Sequence, residues 1–199
     1  HYLEREASMH VPGAIRRSAI FIGVSNGGQF VPLGTAFLVS VEHKGMSFQY
    51  VVTARHNLKG VQKHEKVYLR VNKVSGGVKT IATKFEDWQY HPSRDYIDVA
   101  VIPTSWIETE PDDRFQIKLL TEEFFCDDDV VAKMDIAPGS QIVTVGLSPP
   151  HSKTSHNIPI VRVGNIAAMR DPDEMVFTRR GNMDAYLVEL RSVGGLSGS

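Results

Sequence analysis

The chain has 199 residues, 42% hydrophobic and 23% charged, the composition of a globular protein long enough to bury a sizeable core. Its formal net charge is −1, from 22 Lys+Arg against 23 Asp+Glu, which excludes a global charge argument for nucleic acid or an anionic membrane as partner. The single cysteine, Cys126, excludes an intrachain disulfide, and no apolar run reaches the length of a membrane span.

The opening stretch "HYLEREASMH" carries charges without an apolar core, so it is not a signal peptide; with the lone cysteine it predicts a cytoplasmic setting. A start at His1 marks a processed or partial chain. Short β-branched runs bounded by Gly, Pro, Asn and Asp follow: "AIRRSAIFIGV" at 14–24, "GTAFLVSV" at 34–41, "FQYVVTA" at 48–54 and "KVYLRVNKV" at 66–74. The pairs Gly27 with Gly28 and Gly76 with Gly77 read as hairpin turns, since no phosphate-loop Lys-Ser/Thr follows either. Arg16 with Arg17, and later Arg179 with Arg180, are too short to form a nucleic-acid footprint and read as solvated surface. Residues Tyr68, Leu69, Arg70, Val71 and Asn72 alternate with the period of a half-buried strand. The continuous run 99–102 predicts a strand buried on both faces. A polar, proline-bounded connection occupies 104–116. In "TEEFFCDDDVV" at 121–131, Thr121 and Glu123 suit the start of a short helix, the one helical stretch expected, while Asp127, Asp128 and Asp129 suit a loop equally well. Three further strand runs close the chain: "QIVTVGL" at 141–147, "IPIVRVGNIAA" at 158–168 and "AYLVELR" at 185–191. So many short strands predict an all-β sandwich or barrel.

The final residues, "VGGLSGS" at 193–199, have the form of a linker and also the form G-x-S-G. A serine hydroxyl is a poor nucleophile near neutral pH; it needs an imidazole to take its proton and a carboxylate to fix the imidazole's tautomer. His56 ends "YVVTARH", an apolar strand running into a turn, which sets its ring at the rim of a sheet. Asp98 stands directly before the apolar run "VAVI", in "DVAVI", at a second rim. Asp95, in the turn "HPSRDYID", competes for the same role and reads better as a solvated turn-former.

These pieces resemble the trypsin-like (chymotrypsin-fold) serine proteases, and more the bacterial HtrA/Deg-type branch than the digestive enzymes. "GTAFLVS" resembles the strand before the histidine, "VVTARH" the T-A-x-H block, "DVAVI" the D-[IL]-A-[LV] block and "GGLSGS" the G-x-S-G block, in the family's order. "TVGL" and "VRVGNIAA" are similar to two strands of the second lobe. The resemblance implies an all-β, two-lobed double β-barrel. An N-terminal extension would take 1–13, a first lobe carrying His and Asp 14–103, the connection 104–116 and a second, incomplete lobe 117–199.

It further implies a serine endopeptidase acting on polypeptide through an acyl-enzyme, with no cofactor, no metal, and neither nucleic acid nor membrane as partner. Ser197 would be the nucleophile, His56 the base and then acid, and Asp98 the orienting carboxylate. The backbone N–H groups of Gly195 and Ser197 would form the oxyanion hole. The specificity-pocket floor would lie about six residues before the nucleophile, at Arg191, and a basic floor suits acidic or polar side chains. The alternative is a polypeptide-binding module of the same fold that does not cleave.

Departures from the family pattern bring further expectations. Arg55 stands where a small residue is usual and makes the neighbourhood of His56 more basic; Asn57 stands where digestive enzymes carry a disulfide cysteine. Leu196, before the serine, cannot form the ion pair of zymogen-activated relatives, so activity is expected without N-terminal trimming. Family strands that follow the nucleophile lie beyond Ser199. The 199-residue polypeptide is therefore expected to be a poor protease, with an open sheet edge and residues 195–199 displaced from His56. His151 and His156 lack companions at metal-site spacing, and Cys126 in its acidic surround is a poor nucleophile.

Overall fold

The structure is a computed structural model that describes residues 11–94, 96–104, 115–148, 155–171, 173–178, 181–190 and 197–198. It is mostly β. Strands β1 (Ala19–Asn26), β2 (Gln29–His43), β3 (Met46–Ala54), β4 (Lys66–Asn72), β5 (Val78–Lys84), β6 (Gln89–Tyr90) and β7 (Val99–Pro103) form one antiparallel sheet in the order β5-β4-β1-β2-β3-β7-β6. Asn26 pairs with Gln29 across the Gly27–Gly28 turn, where both residues have positive φ (56° and 79°), the geometry of a two-residue hairpin.

Period-2 side-chain alternation builds the core on one face of this sheet. Ile20, Ile22 and Val24 of β1 meet Val67, Leu69 and Val71 of β4, and Leu38, Val51, Ala100 and Ile102 continue the layer across β2, β3 and β7. Trp88 lies against the same cluster and donates from Nε1 to Thr83 Oγ1 at 3.1 Å. The expected two-faced burial of 99–102 is not what forms: Ala100 and Ile102 are buried, whereas Val99 is exposed. β7 turns Ala100 and Ile102 to the core, while on its other face Val101 is half-buried and Val99 is exposed among the described residues. Strand β4 errs in the opposite sense. Leu69 and Val71 are buried as the alternation predicts, and so is Arg70, whose guanidinium stands 5.9 Å from the Phe21 ring centroid. Burial pushes the Arg70 pKa down.

Two helices form among the described residues. α1 (Gly13–Ser18) starts after Pro12 and takes the first residues of what reads in sequence as one strand run from 14. The consecutive polar residues Arg16, Arg17 and Ser18 break the strand alternation there. They also put two cations in the last helical turn, where the helix dipole favours them, and Ser18 Oγ donates back to the Ile15 carbonyl at 2.8 Å. α2 (Asp128–Lys133) resolves the helix-or-loop alternative. Asp127 is its N-cap, accepting from the Val130 N–H at 2.9 Å, and Asp128 and Asp129 fill the acidic first turn. Residues 122–124 form a separate 3-10 turn.

The second sheet is β12-β9-β8, from β8 (Gln141–Gly146), β9 (Ile160–Ala168) and β12 (Leu187–Leu190); β10 (Val176–Thr178) and β11 (Gly181–Met183) make a separate hairpin. Polar groups of the first sheet bond to Leu147 and Asn157, which lie just outside strands β8 and β9. The Leu147 N–H donates to Thr35 Oγ1 at 2.8 Å. Asn157 donates its backbone N–H to Asn72 Oδ1 (2.7 Å) and its Nδ2 to the Arg70 carbonyl (2.6 Å). Before that, residues 115–120 run along the first sheet, with the Ser40 N–H on the Leu120 carbonyl and the Leu120 N–H on the Leu38 carbonyl, both at 2.9 Å.

Candidate active site

His56 stands on the 3-10 turn Arg55–Leu58, directly after β3. The pairing of β3 with β7, Ala54 opposite Val99, carries the residue before Val99 to the same rim. That residue is Asp98. Its carbonyl accepts the Arg55 N–H at 3.1 Å, its Oδ1 accepts the His56 backbone N–H at 2.8 Å, and its Oδ2 lies 2.5 Å from His56 Nδ1. Both carboxylate oxygens are thus committed to one residue, so the carboxylate cannot rotate without losing a bond. An ionised carboxylate only accepts, so Nδ1 carries the proton, and in the neutral imidazole the lone pair is then on Nε2. The two side chains are 14% and 22% exposed, which keeps competing water largely away from the Nδ1 contact. Nε2 is itself buried and makes no hydrogen bond among the described residues.

Ser197 and Gly198 lie at the same rim through their backbone. The Ser197 carbonyl accepts two donors, the Thr35 N–H at 2.9 Å and Asn57 Nδ2 at 2.8 Å. Asn57 Nδ2 also reaches Thr53 Oγ1 at 3.1 Å, and Thr53 Oγ1 donates to the Thr35 carbonyl at 2.7 Å. Two glycines make this approach possible. A Cβ on Gly34 would stand 2.5 Å from Asn57 Nδ2 and 2.7 Å from the Ser197 carbonyl oxygen. Gly198 has φ +89°, and a Cβ there would collide with the Thr35 carbonyl and stand 2.6 Å from Thr53 Oγ1. Gly198→Ala is therefore expected to destabilise the fold by at least the ~1–2 kcal/mol that a side chain costs in the left-handed region. Denaturant melts of the two proteins measure the difference, and equal midpoints would contradict a close-packed turn at 198.

Of the residues singled out in the sequence, His56 and Asp98 are bonded to each other, and Ser197 reaches the same rim through its main chain, its hydroxyl making no bond to His56 Nε2. Gly195, Arg191, Asp95 and Leu196 lie outside the described residues, as do Ser199 and His151. Arg55 holds its guanidinium 5.1 Å from the centroid of the Tyr90 ring, on β6. Burial pushes the Tyr90 hydroxyl pKa up, and the Arg55 charge opposes that rise. Thr35 and Thr53 escaped the sequence reading, and Asn57 stood out there only as a departure from the family pattern. The signal for Asn57 was a polar amide at a position that turns out 6% exposed, directly after the histidine. His156 takes part in ordinary surface bonding, its Nδ1 3.0 Å from Ser155 Oγ, and Cys126 is exposed. Among the described residues no cluster of His, Cys, Asp and Glu has the arrangement of a metal site, and no helix is long and apolar enough to cross a membrane.

No protein-family model matches the sequence, and no curated protein matches it. Among solved structures the chain is similar to the "Drosophila Grass clip serine protease of Toll pathway", with a TM-score of 0.46 and 14% identity over 80% of this chain and 48% of that one. It is similar to Deg5 with a TM-score of 0.53 and 11% identity, covering 93% of this chain and 73% of that one. The Deg5 likeness extends over nearly the whole chain, and the fold it shows is the mostly β, chymotrypsin-type fold of the Deg proteases.

Proposed function

We propose that the chain is a serine endopeptidase that hydrolyses peptide bonds of polypeptide substrates through an acyl-enzyme, on a frame of two β-barrel lobes. The observation that carries this reading is the double hold of Asp98 on His56, at its backbone N–H and at Nδ1. A carboxylate used this way sets one tautomer and leaves Nε2 as the base. Ser197 Oγ attacks the substrate carbonyl carbon while His56 Nε2 takes its proton. The N–H groups of Gly195 and Ser197 receive the oxyanion. The proton then passes from Nε2 to the leaving amine as the C–N bond breaks, and water repeats the sequence to release the acid.

A second reading, a polypeptide-binding module that does not cleave, draws on the lack of a hydrogen bond to His56 Nε2 among the described residues. Incubation of the chain with an unfolded protein such as reduced casein separates the two. Slow formation of fragments by the wild type, absent with Ser197→Ala, is the expected result. Binding of intact casein with no new fragments would decide for the module.

A further inference from the structure

Asn57 lies between the base and the serine, and neither role in the proposed mechanism uses it. It belongs to the same four-residue turn as His56, is almost fully buried, and spends both of its amide hydrogens inside the site. One goes to Thr53 Oγ1, a fixed point of β3. The other goes to the carbonyl of Ser197, which is 140 residues away in sequence. With the Thr35 N–H as second donor, the peptide plane after Ser197 is held from two directions. A held plane fixes the direction of the preceding Cα–Cβ bond up to one torsion. Gly34 and Gly198, which leave no room for a Cβ, bring the donors within reach.

We infer that Asn57 is a positioning residue that holds the main chain of Ser197 beside the turn that carries His56, doing by hydrogen bonds what a covalent tie beside the histidine would do. The same rigid turn then carries both ends of the proton transfer: Asp98 fixes His56 upon it, and Asn57 fixes the serine to it. The inference rests on the hydrolase reading above for its effect on rate, and on the hydrogen bonds alone for its effect on structure. Near-attack geometry is sensitive, and a misplacement of about 1 Å costs on the order of a hundredfold.

Two variants test it in the full chain. Asn57→Asp turns the donor into an acceptor facing the Ser197 carbonyl, and Asn57→Val removes the donor without adding charge. Inactivation by a fluorophosphonate gives kinact, KI and the fraction of chains finally labelled. Asn57→Asp is expected to lower kinact about a hundredfold, with KI and the labelled fraction unchanged. Asn57→Val is expected to lower it by about tenfold or more, as the loss of both amide hydrogen bonds at the site implies. A reduced labelled fraction at unchanged kinact would make Asn57 merely structural and overturn the proposal, as would wild-type kinact in both variants.

Hydrogen exchange at the Thr35 amide, which donates to the Ser197 carbonyl, is read on the same samples. In both variants it is expected to accelerate on the order of tenfold while Leu69 on β4 keeps its protection. If the wild type itself takes no label, the hydrolase reading fails, and the Thr35 exchange alone decides: faster exchange supports Asn57 as the holder of the 197–198 turn, and unchanged exchange overturns it.

Discussion

Asp98→Asn is expected to lower turnover by roughly four orders of magnitude, the loss that a mis-set tautomer inflicts on a Ser-His-Asp hydrolase. The derivation is local. The His56 backbone N–H requires an acceptor, so the new amide turns its oxygen to that position, where Oδ1 stood. Its NH2 group then faces Nδ1, which has to accept in turn. The ring proton moves to Nε2, where the mechanism needs a lone pair. The fold has little reason to change, because the Asp98 carbonyl still accepts from Arg55 and the β3–β7 pairing is untouched. Steady-state hydrolysis together with a thermal melt measures both halves. Turnover near that of the wild type would mean that Asp98 does not orient the base.

Ser197→Ala and His56→Ala are each expected to lower turnover further, by about six orders of magnitude, and the double variant no further than either alone. The two side chains act on one step: without the hydroxyl there is nothing to deprotonate, and without the imidazole the hydroxyl stays protonated. Losses that multiplied in the double variant would show two independent contributions and contradict a shared proton transfer. None of these substitutions touches the buried layer of β1, β4 and β7. Unfolding midpoints should therefore stay close to wild type, which separates lost chemistry from lost structure.

Much of this site was legible because it follows from strand ends. A histidine after "YVVTA" and an aspartate before "VAVI" fall on neighbouring rims once those strands pair, and their separation of 42 positions in sequence matters little. The serine's surroundings were less legible. The Ser197 carbonyl meets donors from β2 and from the turn after β3, and nothing in the local sequence of 193–199 encodes where those donors stand. Asn57 carried a signal only as a departure from a family pattern, without the contact that gives it meaning. In the fold, the misreadings came from tertiary cover. Arg70 alternates like an outward-facing residue, yet the Phe21 side of the sheet is buried as well and the guanidinium goes in with it. Residues 14–18 precede a strong strand, and the strand pattern was extended over a helical turn that Pro12 starts and two arginines favour at its end.

The proposal that His56 makes Ser197 a nucleophile is tested most directly by covalent labelling of the full chain with a fluorophosphonate, followed by peptide mapping of the adduct. The expected product is a single adduct per chain, on Ser197, that disappears in His56→Ala although that variant keeps its fold. An unlabelled Ser197 in the wild type, or an adduct that persists without His56, would contradict it.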